Sequence, residues 1–143
     1  MRANKLRLYV HVVWTTWDRE PWITPGVERR LYRVIEAEFL DCEYTVLALN
    51  GGIDHAHALT EIVVTQRICD VIKQVKGASS RFVNAVLKPT IPFRWQPNYG
   101  AFTVGEYELD VVKAYIQQQK RHHADGTIIP VYEESTEEFF CEE

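Results

Sequence analysis

Apolar residues recur along this chain in two rhythms, and the switches between them mark out its elements. Leu6 to Thr16 is rich in Leu, Val, Tyr and Trp and predicts a strand. Trp17 to Pro25, with Asp18, Arg19 and Pro21, predicts a loop. Thr24 stands where an N-cap belongs and Pro25 where a first helical residue belongs. Val27, Leu31, Val34, Ile35 and Phe39 then keep helical spacing as far as Leu40. Tyr44 to Leu49 predicts a second strand, Asn50-Gly51-Gly52 a turn, and His55 to Val64 a third strand antiparallel to the second. Thr65 is placed to cap a second helix bearing Ile68, Val71, Ile72, Val75, Phe82, Val83 and Val86. That helix is expected to be interrupted from Gly77 to Ser80 and ended by Pro89 and Pro92. Tyr99 to Val104 predicts a fourth strand. Leu109, Val112 and Ile116 form the core stripe of a last helix ending near His123.

The order is β-α-β-β-α-β-α. Its first six elements are the split β-α-β arrangement of ferredoxin-like folds, so the expected class is α+β with a four-stranded antiparallel sheet and an added C-terminal helix. At 143 residues, one domain is expected over 1–123, followed by an aperiodic C-terminal arm over 124–143. A hydrophobic fraction of 46% and an aromatic fraction of 12% suffice for a core. No run of about 18 apolar residues occurs, so no membrane span is expected. Met1 to Arg7 leads into no apolar signal segment, and a cytoplasmic location is expected. Cys42, Cys69 and Cys141 are odd in number and widely spaced, fitting neither a disulfide framework nor a zinc knuckle.

The net charge of −4 weighs against a nucleic-acid partner, but its distribution softens that. Residues 124–143 hold seven acidic residues and no Lys or Arg, whereas residues 66–123 hold nine basic residues against four acidic ones. An acidic arm thus masks a basic second half. The arm is either solvated or a competitor with nucleic acid for the basic face.

Within the third strand, His55 and His57 are two apart and point to the same face, which makes half of a metal site. Taken alone, such a pair also fits solvated or core histidines. On the last helix, Tyr115 and Gln119 are four apart and share a face. Two imidazoles, an amide and a phenol together suit phosphodiester cleavage.

These segments resemble the single-tyrosine HUH transposases, the small DNA transposases of simple bacterial insertion sequences, over about residues 5 to 125. Val13 to Pro21 is similar to the family's first strand and following loop, and Asn50 to His57 to its turn and HUH motif. Val75-Lys76-Gly77-Ala78-Ser79-Ser80-Arg81 is similar to its lysine-glycine-x-serine-serine-arginine segment. Tyr99 to Thr103 resembles the strand before the catalytic helix, and Tyr115 to Gln119 with His122 and His123 the end of that helix. Ala58 is smaller than the aliphatic residue more usual there, and Asn98 stands where glycine is usual.

The resemblance implies Tyr115 as nucleophile and His55, His57 and Gln119 as ligands of a divalent metal. Mixed imidazole and amide ligation suits Mn²⁺ well and Mg²⁺ acceptably. It implies cleavage and rejoining of single-stranded DNA at hairpin-bearing element ends through a 5′-phosphotyrosine, by a homodimer, with Tyr115 acting in cis or in trans. No membrane and no small-molecule substrate are expected. His122 shares the Tyr115 face by spacing and is a candidate proton shuttle. Lys76, Arg81, Arg94, Lys113, Lys120 and Arg121 are candidate DNA contacts, their alternative being ordinary solvated charge. Trp95, Tyr99 and Phe102 are candidate stacking platforms or core residues. Three other functions share these features: a nicking enzyme of the HUH group, a non-catalytic single-strand nucleic-acid-binding module, and a host-adopted copy of a transposase.

Overall fold

The computed structural model describes residues 2–135, so Cys141 and the end of the acidic arm lie outside the described residues. Four strands, β1 (Tyr9–Thr15), β2 (Thr45–Gly51), β3 (His55–Glu61) and β4 (Gly100–Val104), form one sheet in the order β2-β3-β1-β4. All three pairings are antiparallel. Helices α1 (Pro25–Asp41) and α2 (Ile68–Phe82) follow β1 and β3, and α3 (Leu109–Gln117) and α4 (Gln119–Asp125) follow β4. The expected α+β class and ferredoxin-like order hold. Among the described residues, no helix is long and apolar enough to cross a membrane.

Every residue of β1 is buried, because the sheet is covered on both faces. Side chains alternate along a strand, so each face has its own core. Val10, Val12 and Trp14 of β1 join Ala56 and Ala58 of β3 beneath Leu31, Ile35 and Phe39 of α1 and Val71, Ile72 and Val75 of α2. The small side chains of Ala56 and Ala58 let the two helices approach. The opposite face carries Tyr9, Leu59 and Val104 against Val112, Tyr115 and Ile116 of α3. His55 and His57 lie on that second face, beneath the last helices.

Several boundaries differ from the sequence expectation. Thr24 caps α1 through its backbone carbonyl, which accepts from Val27 and Glu28 at 3.0 and 2.8 Å; its hydroxyl makes no cap bond. Thr65 is not the cap of α2, whose N-cap is Arg67. Gly77 to Ser80 does not interrupt α2. The Ser79 hydroxyl donates back to the Val75 carbonyl at 2.7 Å and accepts from the Trp95 indole at 2.9 Å, so the polar segment is satisfied in place. The helix passes into a π turn over Val83–Leu87 and stops at Lys88, which has a left-handed φ of 46° before Pro89.

The last helix is two helices, not one. It breaks at Gln118, with φ −104° and ψ 20°. No Gly or Pro marks the break, and its anchors come from β2. The Asn50 side chain donates to the Gln117 carbonyl at 3.0 Å, and Lys120 Nζ donates to Asn50 Oδ1 at 2.7 Å. The end of β2 therefore positions the segment that carries Gln119.

Candidate active site

Strand alternation puts both histidines of β3 on the face beneath α3, and both are buried. Gly52 makes room for the first of them. A Cβ on Gly52 would lie 2.8 Å from Cε1 of His55, so any larger residue would push the imidazole out of place. His55 Nδ1 donates to Asp54 Oδ1 at 2.7 Å, and that bond is the chief cause holding the Asp54 carboxyl below its usual range. Asp54 also meets Arg19 at 3.6 Å. Arg19 follows Asp18 in a turn where both adopt left-handed φ, near 55°. A carboxylate behind an imidazole fixes the tautomer whose Nε2 offers a lone pair forward, as behind metal-bound histidines.

That lone pair faces an acceptor. Gln119 Oε1 lies 2.9 Å from His55 Nε2, while Gln119 Nε2 donates to Glu133 Oε1 at 3.0 Å. With the His55 proton on Nδ1, this pair is two acceptors, an arrangement that a cation beside them resolves. His57 Nε2 lies 2.9 Å from Glu133 Oε2. The ligand atoms of His55, His57 and Glu133 lie within 4.8 Å of one another. Two imidazoles, a carboxylate and an amide oxygen fit a divalent ion of borderline or hard character.

Glu133 belongs to the acidic arm, where sequence alone offers nothing to separate it from its solvated neighbours. Its side chain is only 14% exposed. Burial opposes its ionisation, but hydrogen bonds from His57, Tyr115 and Gln119 outweigh that and hold the carboxyl well below the usual carboxylate range. Tyr115 donates its hydroxyl hydrogen to Glu133 Oε1 at 2.5 Å and accepts from the Ile129 N–H at 3.0 Å. Burial, then the Glu133 bond, push the Tyr115 hydroxyl up to about 12. The ring of Tyr132 packs edge-on against Tyr115, with centroids 5.1 Å apart. The segment from Ile129 to Glu134 thus lies directly on the tyrosine.

A second residue missed by sequence is His11 of β1. In the β1–β3 register it faces Leu59, which leaves it diagonal to His57. Its Nε2 lies 2.8 Å from His57 Nδ1, and its own Nδ1 has no partner. Burial, then the neighbouring His57, push His11 down to about 3, so the imidazole is neutral near pH 7. A lone imidazole in an otherwise apolar strand was the available signal, but its partner lies 46 residues away.

The four residues expected from the sequence, Tyr115, His55, His57 and Gln119, come together in one buried cluster within a single chain. His122 stacks flat on the Tyr115 ring at 4.6 Å, with its Nδ1 bonded to Thr127 Oγ1 at 2.9 Å. It is the Tyr115 ring, not the hydroxyl, that His122 covers.

The candidate DNA contacts divide. Lys120 is bound to Glu28, Asn50 and the Gly51 carbonyl, and Arg121 pairs with Asp125 at 3.5 Å. Lys76 is half-buried and donates to the carbonyls of Gln96 and Asn98. Arg81, Arg94 and Lys113 are exposed, and the Arg94 guanidinium lies 3.9 Å above the Trp17 ring. Trp95 is a core residue against Trp14 and Phe93. Tyr99 and Phe102 are half-buried, Phe102 beside His11.

Comparison with known proteins agrees with this geometry. Residues 4–119 match the family model described as Transposase IS200 like. The chain is 26% identical over 124 residues to the ISDra2 transposase TnpA of Deinococcus radiodurans, covering 82% of this chain and 88% of that protein. A solved structure assigned as a transposase of Deinococcus radiodurans superposes with a TM-score of 0.67 at 26% identity, over 83% of this chain and 95% of that one. A REP-associated tyrosine transposase, solved bound to a REP hairpin, shares the fold with a TM-score of 0.63 at 11% identity, over 90% and 74% of the two chains. With the match spanning the sheet, both histidines, Tyr115 and Gln119, the chain belongs to the IS200-like family of single-tyrosine HUH transposases.

Proposed function

We propose that this transposase cuts and rejoins single-stranded DNA through a covalent bond to Tyr115, with a divalent metal, Mg²⁺ or Mn²⁺, in the site of His55, His57, Gln119 and Glu133. The observation that carries the reading is the shared carboxylate. Glu133 touches both the Tyr115 hydroxyl and His57, so the nucleophile and the metal-ligand set form one buried cluster. The ion, when bound, supplies charge that offsets the negative charge growing on the scissile phosphate.

The chain's own residues do the rest. Tyr115 Oη gives up its proton and attacks phosphorus, the bond from phosphorus to the 3′ oxygen breaks, and the departing oxygen takes up a proton from solvent. The product is a 5′-phosphotyrosine and a free 3′-hydroxyl. A 3′-hydroxyl from the same or another strand reverses the step, expels Tyr115 and reseals the backbone. The phosphodiester energy is conserved in the tyrosine ester, so no nucleotide triphosphate is needed. Burial and the Glu133 bond favour the neutral phenol, so the positive charge of the ion is needed to bring the phenolate within reach of neutral pH.

Hairpin-bearing ends are the substrate class we favour, because a relative of the same fold is solved on a hairpin. Tyr115 lies at the histidines of its own chain, which supports cleavage in cis, within a homodimer that holds two ends together. The test is covalent capture. Hairpin oligonucleotides with single-stranded flanks are incubated with the protein and Mn²⁺, then denatured. A protein–DNA adduct in wild type that is absent in Tyr115→Phe is the expected result. An adduct persisting in Tyr115→Phe would remove Tyr115 as nucleophile. Hairpin binding without any adduct, with Mn²⁺ demonstrably bound, would favour the non-catalytic binding module.

A further inference from the structure

On the far side of the sheet from Tyr115, α2 and the loop from Arg94 to Tyr99 enclose a cavity of about 450 Å³. Its floor is apolar, made by Ile72, Gly77 and the edge of Trp95. Lys73, Lys76 and Arg94 line it, and among the described residues no carboxylate does. Among the described residues none of these three cations pairs with an acidic group. Lys76 is held by two backbone carbonyls, at 2.5 and 3.1 Å, which direct it without neutralising it. The Arg94 guanidinium lies 3.9 Å above the Trp17 ring, which holds a cation beside the rim. Tyr99 closes the other side. A slot of this size with an apolar floor, a tyrosine wall and a cationic rim matches a flat heterocycle bearing a phosphate.

We propose that this cavity binds one unpaired nucleotide of the DNA, its base against the floor and Tyr99, and its phosphate against Lys73, Lys76 and Arg94. The proposal rests on the functional reading above and adds a second DNA site to it. The loop that forms the cavity runs directly into β4, the edge strand beside β1. A strand held there reaches the Tyr115 face by rounding that edge. The basic half of the chain would then grip DNA on the α2 face, while the acidic arm serves the opposite face.

Cys69 lines the cavity and is exposed, so its alkylation reports occupancy directly. Cys141 is changed to Ser, and Cys42 is buried. EDTA is present, so that no strand is cut. The probes are a DNA hairpin with a single-stranded extension of about ten nucleotides and the same hairpin made blunt. We expect the extended hairpin to slow Cys69 alkylation about fivefold or more relative to the blunt one, as a stacked base shields its pocket. Gly77→Leu fills the cavity, and it is suited to α2 because leucine is the better helix former and the added Cβ meets only the Arg81 guanidinium, at 3.1 Å. Gly77→Leu and Arg94→Glu should each weaken binding of the extended hairpin about tenfold, the loss of one stacked base or one phosphate contact.

Tight binding of the extended hairpin with Cys69 unprotected, or wild-type affinity in Gly77→Leu, overturns the proposal. Such a result would leave covalent capture at Tyr115 untouched. Failure of wild type to bind either hairpin would instead overturn the functional reading, and this proposal with it.

Discussion

Tyr115 gives its hydroxyl hydrogen to Glu133, a residue 18 positions later in an arm that the sequence marks only as acidic. The same carboxylate accepts from Gln119 and His57, so one side chain ties the proposed nucleophile to the proposed ligand set. Replacing Glu133 by Ala removes an anionic ligand and leaves two imidazoles and an amide. Mn²⁺ affinity, measured by calorimetry on the protein alone, should fall by about tenfold or more, since each carboxylate adds charge to such a site. Covalent capture should fall with it. Glu133→Gln keeps the shape and loses the charge, and should lie between. Unchanged Mn²⁺ affinity in Glu133→Ala would place the carboxylate outside the coordination set.

His11 stands behind His57 as Asp54 stands behind His55. In the structure, His57 Nε2 faces a carboxylate while its Nδ1 faces His11. To offer a lone pair from Nε2, His57 must carry its proton on Nδ1 and donate it to His11, which accepts because burial keeps it neutral. His11 would therefore act by positioning His57. His11→Phe should lower Mn²⁺ affinity by about tenfold, the usual cost of losing such a partner, while metal-free thermal stability changes little, since removing the unpartnered Nδ1 offsets the lost bond to His57. A loss of metal-free stability with unchanged Mn²⁺ affinity would reduce His11 to a packing role.

These two residues show where the sequence stops being informative. His55 and His57 were legible because a strand repeats every second residue, and Tyr115 with Gln119 because a helix repeats every fourth. The element order was legible for the same reason. His11 needed the β1–β3 register, which no local pattern states. Glu133 needed the path of an aperiodic arm, and a buried acid looks like a solvated one in a run of acids. The break at Gln118 was hidden because Asn50 and Lys120 impose it from elsewhere, on a run of glutamines with no helix breaker. Charge along the chain marks the basic residues, but not that Lys120 and Arg121 are bound to acidic groups of the chain itself.

The arm reaches the site by crossing β4 at Gly100. A Cβ there would lie 1.9 Å from the Glu134 carbonyl oxygen, so only glycine lets the two backbones meet. Gly100→Ala adds the least bulk that must lift the arm, and its Cβ also meets Val13 Cγ1 at 3.0 Å, which must give by a few tenths of an ångström. Chymotrypsin cleavage after Tyr132 should accelerate severalfold, and Mn²⁺ affinity should fall as in Glu133→Ala. Global stability should stay within about 1 kcal/mol of wild type, the span of strand propensities. Unchanged cleavage at Tyr132 would mean that the arm is held by contacts other than those around Glu133.

Lys76 offers a prediction in pH. Burial pushes its ammonium from 10.5 down to about 8, although the group keeps partial access to solvent. At pH 7 both the folded and the unfolded chain carry the charge, and folding bears the full cost of burying it. Between pH 8 and 10.5 the folded chain has released a proton that the unfolded chain still holds, so the Lys76 contribution to stability rises with pH across that window. Lys76→Met has no such proton to release. From pH 7 to pH 10, the urea unfolding free energy of wild type should therefore gain about 1 kcal/mol on that of Lys76→Met, a figure discounted for the group's exposure. A constant gap between the two proteins would mean that the carbonyls of Gln96 and Asn98 stabilise the cation enough to cancel the cost of its burial.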